Sequence, residues 1–244
     1  MLKNIKISRL QIFFYLFIFL ILFEGWFCKY SAYRINAEGS ICQIFFINFW
    51  SESGFVETAQ IIFIFISFIY SISLCTKSKK NFEKKFFFFI SFCLFYYFGE
   101  EISWGQHYLK FETPTLLEDI NNQKEFNLHN ISNLFDQIPR SVTFLICGFS
   151  FLIFYIKAKF FKFGSKYNYL ILPNKNLIYV SFLLLLVSFP DIINDKLNIQ
   201  LSKKIDNYIY ELITFNFIRL SELQELIFSF YILNYMIAIK NYKF

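Results

Sequence analysis

Two adjacent carboxylates, Glu100 and Glu101, stand in the stretch FYYFGEEISWGQH at the end of an apolar run, and a second pair, Glu222 and Glu225, lies one helical turn apart near the start of another. Carboxylates gathered in a low-dielectric site repel, so such a group calls for a shared proton, a cation or an arginine partner, with Arg140 and Arg219 the nearest in sequence. Perturbed carboxylates can act as general acid or base near neutral pH. His129, in FNLHN, is one of two histidines and supplies an imidazole able to ligate a metal or move a proton. Glu101, His129 and Glu225 are therefore the expected ligands if a divalent metal such as Zn is bound, Mn and Fe being suited to the same donors. An open position on that metal would make its water nucleophilic. With or without a metal, Glu100, Glu101, His129 and Glu225 are the expected catalytic groups, and Ser103, Trp104, Gln106, Asn127 and Asn130 the residues expected to position a substrate. Written as continuous helix, Glu100, Ser103, Trp104 and His107 share one face at i, i+3, i+4 and i+7, while Tyr97, Glu101 and Tyr108 share the next. The chain has no HExxH, no paired ExxH, no DxDxD, no GxSxG, no P-loop and no GxGxxG.

The elements that must carry these groups are apolar. Of 244 residues, 56% are hydrophobic, 23% aromatic and only 17% charged, a balance too greasy for an ordinary soluble domain. The 38 phenylalanines partly reflect a general bias toward Phe, Ile, Asn, Lys and Tyr and carry no functional weight. Apolar runs at about 10–28, 55–75, 86–105, 141–157, 176–195 and 219–239 each approach the roughly 20 residues needed to cross a bilayer core. The expected fold is all-α: an integral membrane bundle of six transmembrane helices, forming a single polytopic domain over 1–244. Lys3, Lys6 and Arg9 precede the first run as they would in a secretory signal, but its length and the absence of a clean small-residue cleavage site favour a retained helix. Five cysteines show no paired spacing and read as free thiols, with a Cys28–Cys42 disulfide as the alternative.

Charge orients the bundle. With both termini inside, the inner segments hold 15 of the 24 Lys and Arg residues, which is the asymmetry expected of a cytoplasmic face. The net charge of +6 therefore lies in the flanks of apolar runs and does not mark a nucleic-acid surface. Of the 18 acids only Glu83 falls inside, so the outer side carries the carboxylates.

Three runs are too short for their task. Phe86–Gly99, Leu177–Pro190 and Leu226–Ile239 each hold 14 uncharged residues, about 21 Å of helix against a hydrocarbon core of roughly 30 Å. Glu100, Glu101, Asp191, Asp195, Glu222 and Glu225 are thereby drawn toward one outer level, joined by Glu57 at the start of the second run. Ionisable groups at such depth face a bundle interior or a wet cavity. A third helix beside the sixth would turn several carboxylates toward each other. The loop from Gly105 to Arg140 covers this end. Thr113 and Pro114 read as N-cap and first residue of a short interfacial helix with Leu116, Leu117 and Ile120 as its apolar stripe.

EEISWGQ followed by FNLHN resembles a group of uncharacterised bacterial multi-pass membrane proteins that share an E-E-x-S-W-G-Q stretch and a later N-L-H-N. The likeness covers about residues 99–131, supplies a grouping rather than a function, and makes Glu100, Glu101, Ser103, Trp104, Gly105, Gln106, Asn127, His129 and Asn130 the positions to test. A weaker similarity is to the CAAX-processing glutamate intramembrane proteases, in which a glutamate pair is followed after three residues by arginine and later by F-x-x-x-H and a further histidine. Glu100, Glu101 and Trp104 match that pattern. Gly105 stands in place of the arginine, Phe126 to His129 is one residue short, no third histidine exists, and the pair faces outward.

The resulting expectation is an integral-membrane hydrolase or transferase that acts on a lipid-linked or membrane-embedded substrate. Its partners are membrane lipid and that substrate, with no nucleic acid, and its place is the bacterial cytoplasmic membrane with the site on the periplasmic or extracellular side. The alternative is a non-catalytic scaffold or assembly subunit. A proton- or cation-coupled transporter fits less well, because the acids gather at one end of the spans and leave the midplane apolar.

Overall fold

A three-residue turn, Ser78 to Lys80, folds the best-packed part of the chain back on itself. It joins two helices, which we number in chain order with the rest: α1 Arg9–Ile35, α2 Phe55–Lys77, α3 Asn81–Glu101, the four-residue α4 Gln106–Leu109, α5 Ile178–Asp191 and α6 Leu220–Lys243. The computed structural model describes residues 8–35, 49–50, 54–115, 121, 125–128, 131–132, 141–142, 144–150, 152, 170, 177–191 and 220–243. Among the described residues there are helices and no strand, as expected of an all-α chain. One of these helices, α2, is long and apolar enough to cross a membrane; its 23 residues span about 35 Å.

Local chemistry sets the turn. Ser78 leaves the helix in extended conformation (φ −71°, ψ 125°), its hydroxyl donating to the Leu74 carbonyl. Lys80 precedes α3 in the same region of backbone space, and its ammonium lies 3.1 Å from Glu83. Glu83 sits in the first turn of α3, where the helix N-terminus favours negative charge, and it is buried while its lysine stays exposed.

Packing follows the helical period. On α2, Val56, Gln60, Ile64, Ser67, Ser71 and Leu74 recur at intervals of three and four and form one buried stripe. Both α3 and α6 pack against α2, and α5 packs against α6. The third and sixth helices meet directly at the acidic end, where the Tyr97 ring of α3 lies 6.0 Å from the Phe228 ring of α6, while α2 packs against both more extensively. The serines let backbones approach closely: Ser71 and Ser91 share a hydrogen bond of 2.8 Å between α2 and α3, while each hydroxyl also faces a carbonyl of its own helix. Ile64, Leu74, Phe87, Leu94, Met236 and Ile239 close this part of the core.

α1 reaches the layer through Phe14, whose ring stacks on Phe230 of α6 at 3.6 Å and meets Phe63 of α2 edge-on at 6.1 Å. Residues 141–142, 144–148 and 150 are helical and touch α5 where the Ser181 hydroxyl donates to the Cys147 carbonyl, with the Gly148 carbonyl 2.9 Å away. At the far end of the hairpin the Lys240 ammonium lies 4.7 Å from the Tyr70 ring centre, which ties the end of α6 to α2. Outward, α1, α2 and α3 present bare apolar side chains, among them Phe13, Phe19, Ile69, Phe88, Phe89 and Phe92. Cys75, Cys93 and Cys147 are free thiols; Cys42 lies outside the described residues and Cys28 is described only as backbone.

Candidate functional site

The face drawn from Glu100 to His107 does not form, because α3 ends at Glu101. Ser103, Trp104 and Gly105 all have positive φ (46°, 52° and 92°), the left-handed region that costs a non-glycine residue about 1–2 kcal/mol. The turn swings Trp104 back onto its own helix. A Cβ at Gly99 would meet three atoms of the indole ring at 2.9 Å, so the close approach requires glycine there. The indole N–H donates to Glu100 Oε1 at 2.8 Å, and the ring meets Phe95 and Tyr96 edge-on at 5.9 and 6.1 Å.

Glu100, only 4% exposed, is the pivot of this fold-back. Its second oxygen accepts the Leu128 backbone N–H at 2.7 Å, which pins the loop to the helix end. Gln106 adds two more ties, its Oε1 accepting the Phe126 N–H at 2.6 Å and its Nε2 donating to Thr113 Oγ1 at 2.7 Å. Ser103 donates to Glu125 Oε2 at 2.9 Å, and Asn127 Nδ2 donates to that oxygen at 2.6 Å and to Ser103 Oγ at 3.1 Å. Asn121 completes the set, donating to the Asn127 Oδ1 at 2.9 Å. Residues 99–106 and 125–128 thus form one hydrogen-bonded clamp, and Ser103, Trp104, Gln106 and Asn127 of the expected set all belong to it. Their polar groups bond to one another.

Glu101 points elsewhere. Its Oε2 accepts from Gln60 Nε2 of α2 at 2.7 Å, and the same nitrogen lies 3.4 Å from Glu225 Oε2 of α6 and 3.3 Å from the Tyr97 hydroxyl of α3. One fully buried amide therefore links two carboxylates from different helices. The Oε1 of that amide is buried without a hydrogen-bond partner, a state that costs about 1–3 kcal/mol. Glu101, Glu225 and Tyr97 are only partly buried, so the cluster has an accessible edge. Gln60 was not among the residues expected from sequence; a single amide within GFVETAQIIF carries no motif, though its place one turn beyond Glu57 marks it as polar within an apolar run.

The expected carboxylates separate into two tasks. Glu100 holds the loop, while Glu101 and Glu225 meet across α2. Glu57 lies in the first turn of α2 and Glu222 in the first turn of α6, where a helix N-terminus suits an acid. His129, Asn130, Asp195, Arg140 and Arg219 lie outside the described residues, as do Leu116, Leu117 and Ile120; His107 and Asp191 are described only as backbone. Among the described residues no three of His, Cys, Asp and Glu come together to hold a metal, and the expected set of Glu101, His129 and Glu225 includes one residue outside them. Comparison with protein-family models, with curated proteins and with solved structures finds no match.

Proposed function

We propose that this chain is an integral-membrane hydrolase or transferase whose reacting pair is Glu101 and Glu225, held by Gln60 at the outer end of a six-helix bundle. Both termini lie inside, the substrate is lipid-linked or membrane-embedded, and His129 serves as a further acid, base or ligand. The observation that carries the reading is the Gln60 amide, whose one nitrogen reaches carboxylates of two helices at 2.7 and 3.4 Å. Paired carboxylates in a low-dielectric setting can supply a proton donor and an acceptor to the same reacting bond. The bare Phe and Ile side chains on α1, α2 and α3 support a lipid surround, since exposed apolar surface on this scale marks a membrane or partner face. The clamp around Glu100 supports the scaffold reading instead, because its groups satisfy one another.

The test is conversion of lipid. The purified full chain is incubated with the polar lipid extract of the organism that encodes it, and products are sought by mass spectrometry beside Glu101→Gln and Glu225→Gln. Wild type is expected to yield a product that each folded variant forms at least about a hundredfold more slowly. No product from wild type, or equal rates from the variants, would remove the enzyme reading in favour of the scaffold.

A further inference from the structure

The end of α3 opposite the acid cluster is dense in positive charge. Lys77, Lys79, Lys80, Lys84 and Lys85 fall within nine residues around the α2–α3 turn, and all five are exposed. The acid among them, Glu83, is 1% exposed and lies 3.1 Å from the Lys80 ammonium, so the surface of the turn stays cationic. Lys77 and Lys80 have further interactions; among the described residues Lys79, Lys84 and Lys85 have no ion pair. Helix stability does not account for the cluster. Lys80, Lys84 and Lys85 stand at the start of α3, and a helix N-terminus favours anions rather than cations. Two contacts fix the shape of the turn: the Ser78 hydroxyl donates to the Leu74 carbonyl, and the Cys75 thiol to the Lys84 carbonyl at 3.5 Å. Between the lysines Phe82 is 49% exposed, and the bare Phe88 and Phe89 follow on α3.

We infer that this turn is a docking surface for the headgroups of anionic phospholipids. Charge complementarity fixes the sign of the partner, because lysines gathered beside a membrane-spanning helix are drawn to an anionic leaflet. The phenylalanines fix its kind. An anionic lipid offers phosphate next to hydrocarbon, and the hairpin offers lysine next to bare aromatic rings; a nucleic acid or an acidic peptide matches the charge alone. Depth agrees with this. α2 ends at Lys77 and is long and apolar enough to cross a bilayer, so in the proposed orientation the turn lies at the level where headgroups begin. Lysine suits that level, since its stem can lie on apolar surface while the ammonium reaches the phosphates. The surface shares the membrane setting of the proposed function and uses neither Glu101 nor Glu225.

Native mass spectrometry of the full chain in detergent, with equimolar phosphatidylglycerol and phosphatidylcholine of matched acyl chains, tests it. Wild type is expected to retain phosphatidylglycerol about tenfold over phosphatidylcholine, and the triple variant Lys79→Gln, Lys84→Gln, Lys85→Gln to retain the two equally. Lys80 is left in place because its removal would strand the buried Glu83 carboxylate. A second triple variant, Lys157→Gln, Lys159→Gln, Lys162→Gln, removes the same charge elsewhere in the chain and is expected to keep the preference. Equal retention of both lipids by wild type overturns the inference. So does equal loss in the two variants, which would make the effect one of net charge, and so does displacement of phosphatidylglycerol by an equimolar short single-stranded RNA, which would assign the lysines to nucleic acid. If the first variant does not fold, the single substitutions at Lys79, Lys84 and Lys85 are each expected to lower the preference about twofold, and no change in any of them overturns the docking surface. Lipid conversion is read separately through Glu101 and Glu225, so selective binding without conversion would sink the enzyme proposal alone, and conversion without selectivity the docking surface alone.

Discussion

At the residue scale, Gly99 and Trp104 make one unit. Replacing a helical glycine by alanine ordinarily gains about 1 kcal/mol from propensity. Here the added Cβ meets the indole at 2.9 Å, so Gly99→Ala is expected to destabilise the protein by about 1–3 kcal/mol. Thermal unfolding in detergent checks the sign, and the double variant with Trp104→Ala should recover most of the loss. A rise in stability for Gly99→Ala alone would mean that the ring does not lie there. Glu100→Gln keeps the shape and replaces one acceptor by an NH2, which must then face either the indole N–H or the Leu128 N–H. A loss of about 1–3 kcal/mol follows, together with faster hydrogen exchange at Leu128. Wild-type exchange at that amide in Glu100→Gln would show that the loop is held by something else.

At the element scale, the end of α4 is strained at a place where strain is unnecessary. Lys110 is exposed and caps the turn in left-handed conformation (φ 51°), its N–H donating to the Gln106 carbonyl at 2.8 Å. Glycine adopts that conformation freely, so Lys110→Gly is expected to raise stability by about 1 kcal/mol, measured as a higher melting temperature. The hairpin of α2 and α3 has a different support in the Ser71–Ser91 bond. A double-mutant cycle with alanine at both positions is expected to yield a coupling of about 0.6 kcal/mol. Additive losses would assign the serines to close packing alone.

At the scale of the whole molecule, the hairpin carries a topological prediction. Lys79 in the turn and Glu112 beyond α4 lie at opposite ends of α3, a helix of 21 residues or about 31 Å. In the proposed orientation, a cysteine placed at Glu112 in a version lacking native cysteines reacts with an impermeant maleimide on intact cells. One at Lys79 reacts only after permeabilisation. The opposite pattern would invert the bundle, and labelling of both would argue that α3 does not cross.

Much of this was legible from sequence because its causes are local. Composition and the recurrence of apolar residues predict helices, and the run at 55–75 corresponds to α2. The gathering of acids at one end was read from run lengths, but not which two of them meet at one amide. What only the tertiary structure decided depends on contacts between distant residues. The period of a helix continues on paper through Ser103 and Trp104, but the backbone turns left-handed after Glu101 because the indole ring finds Glu100 and the bare backbone of Gly99. The division of labour between neighbouring glutamates has the same origin: successive helical positions point about 100° apart, so Glu100 meets the loop and Glu101 meets α2. Gln60 was hidden for the complementary reason. An amide has no motif of its own, and its role arises only when two other helices bring their carboxylates to the same nitrogen.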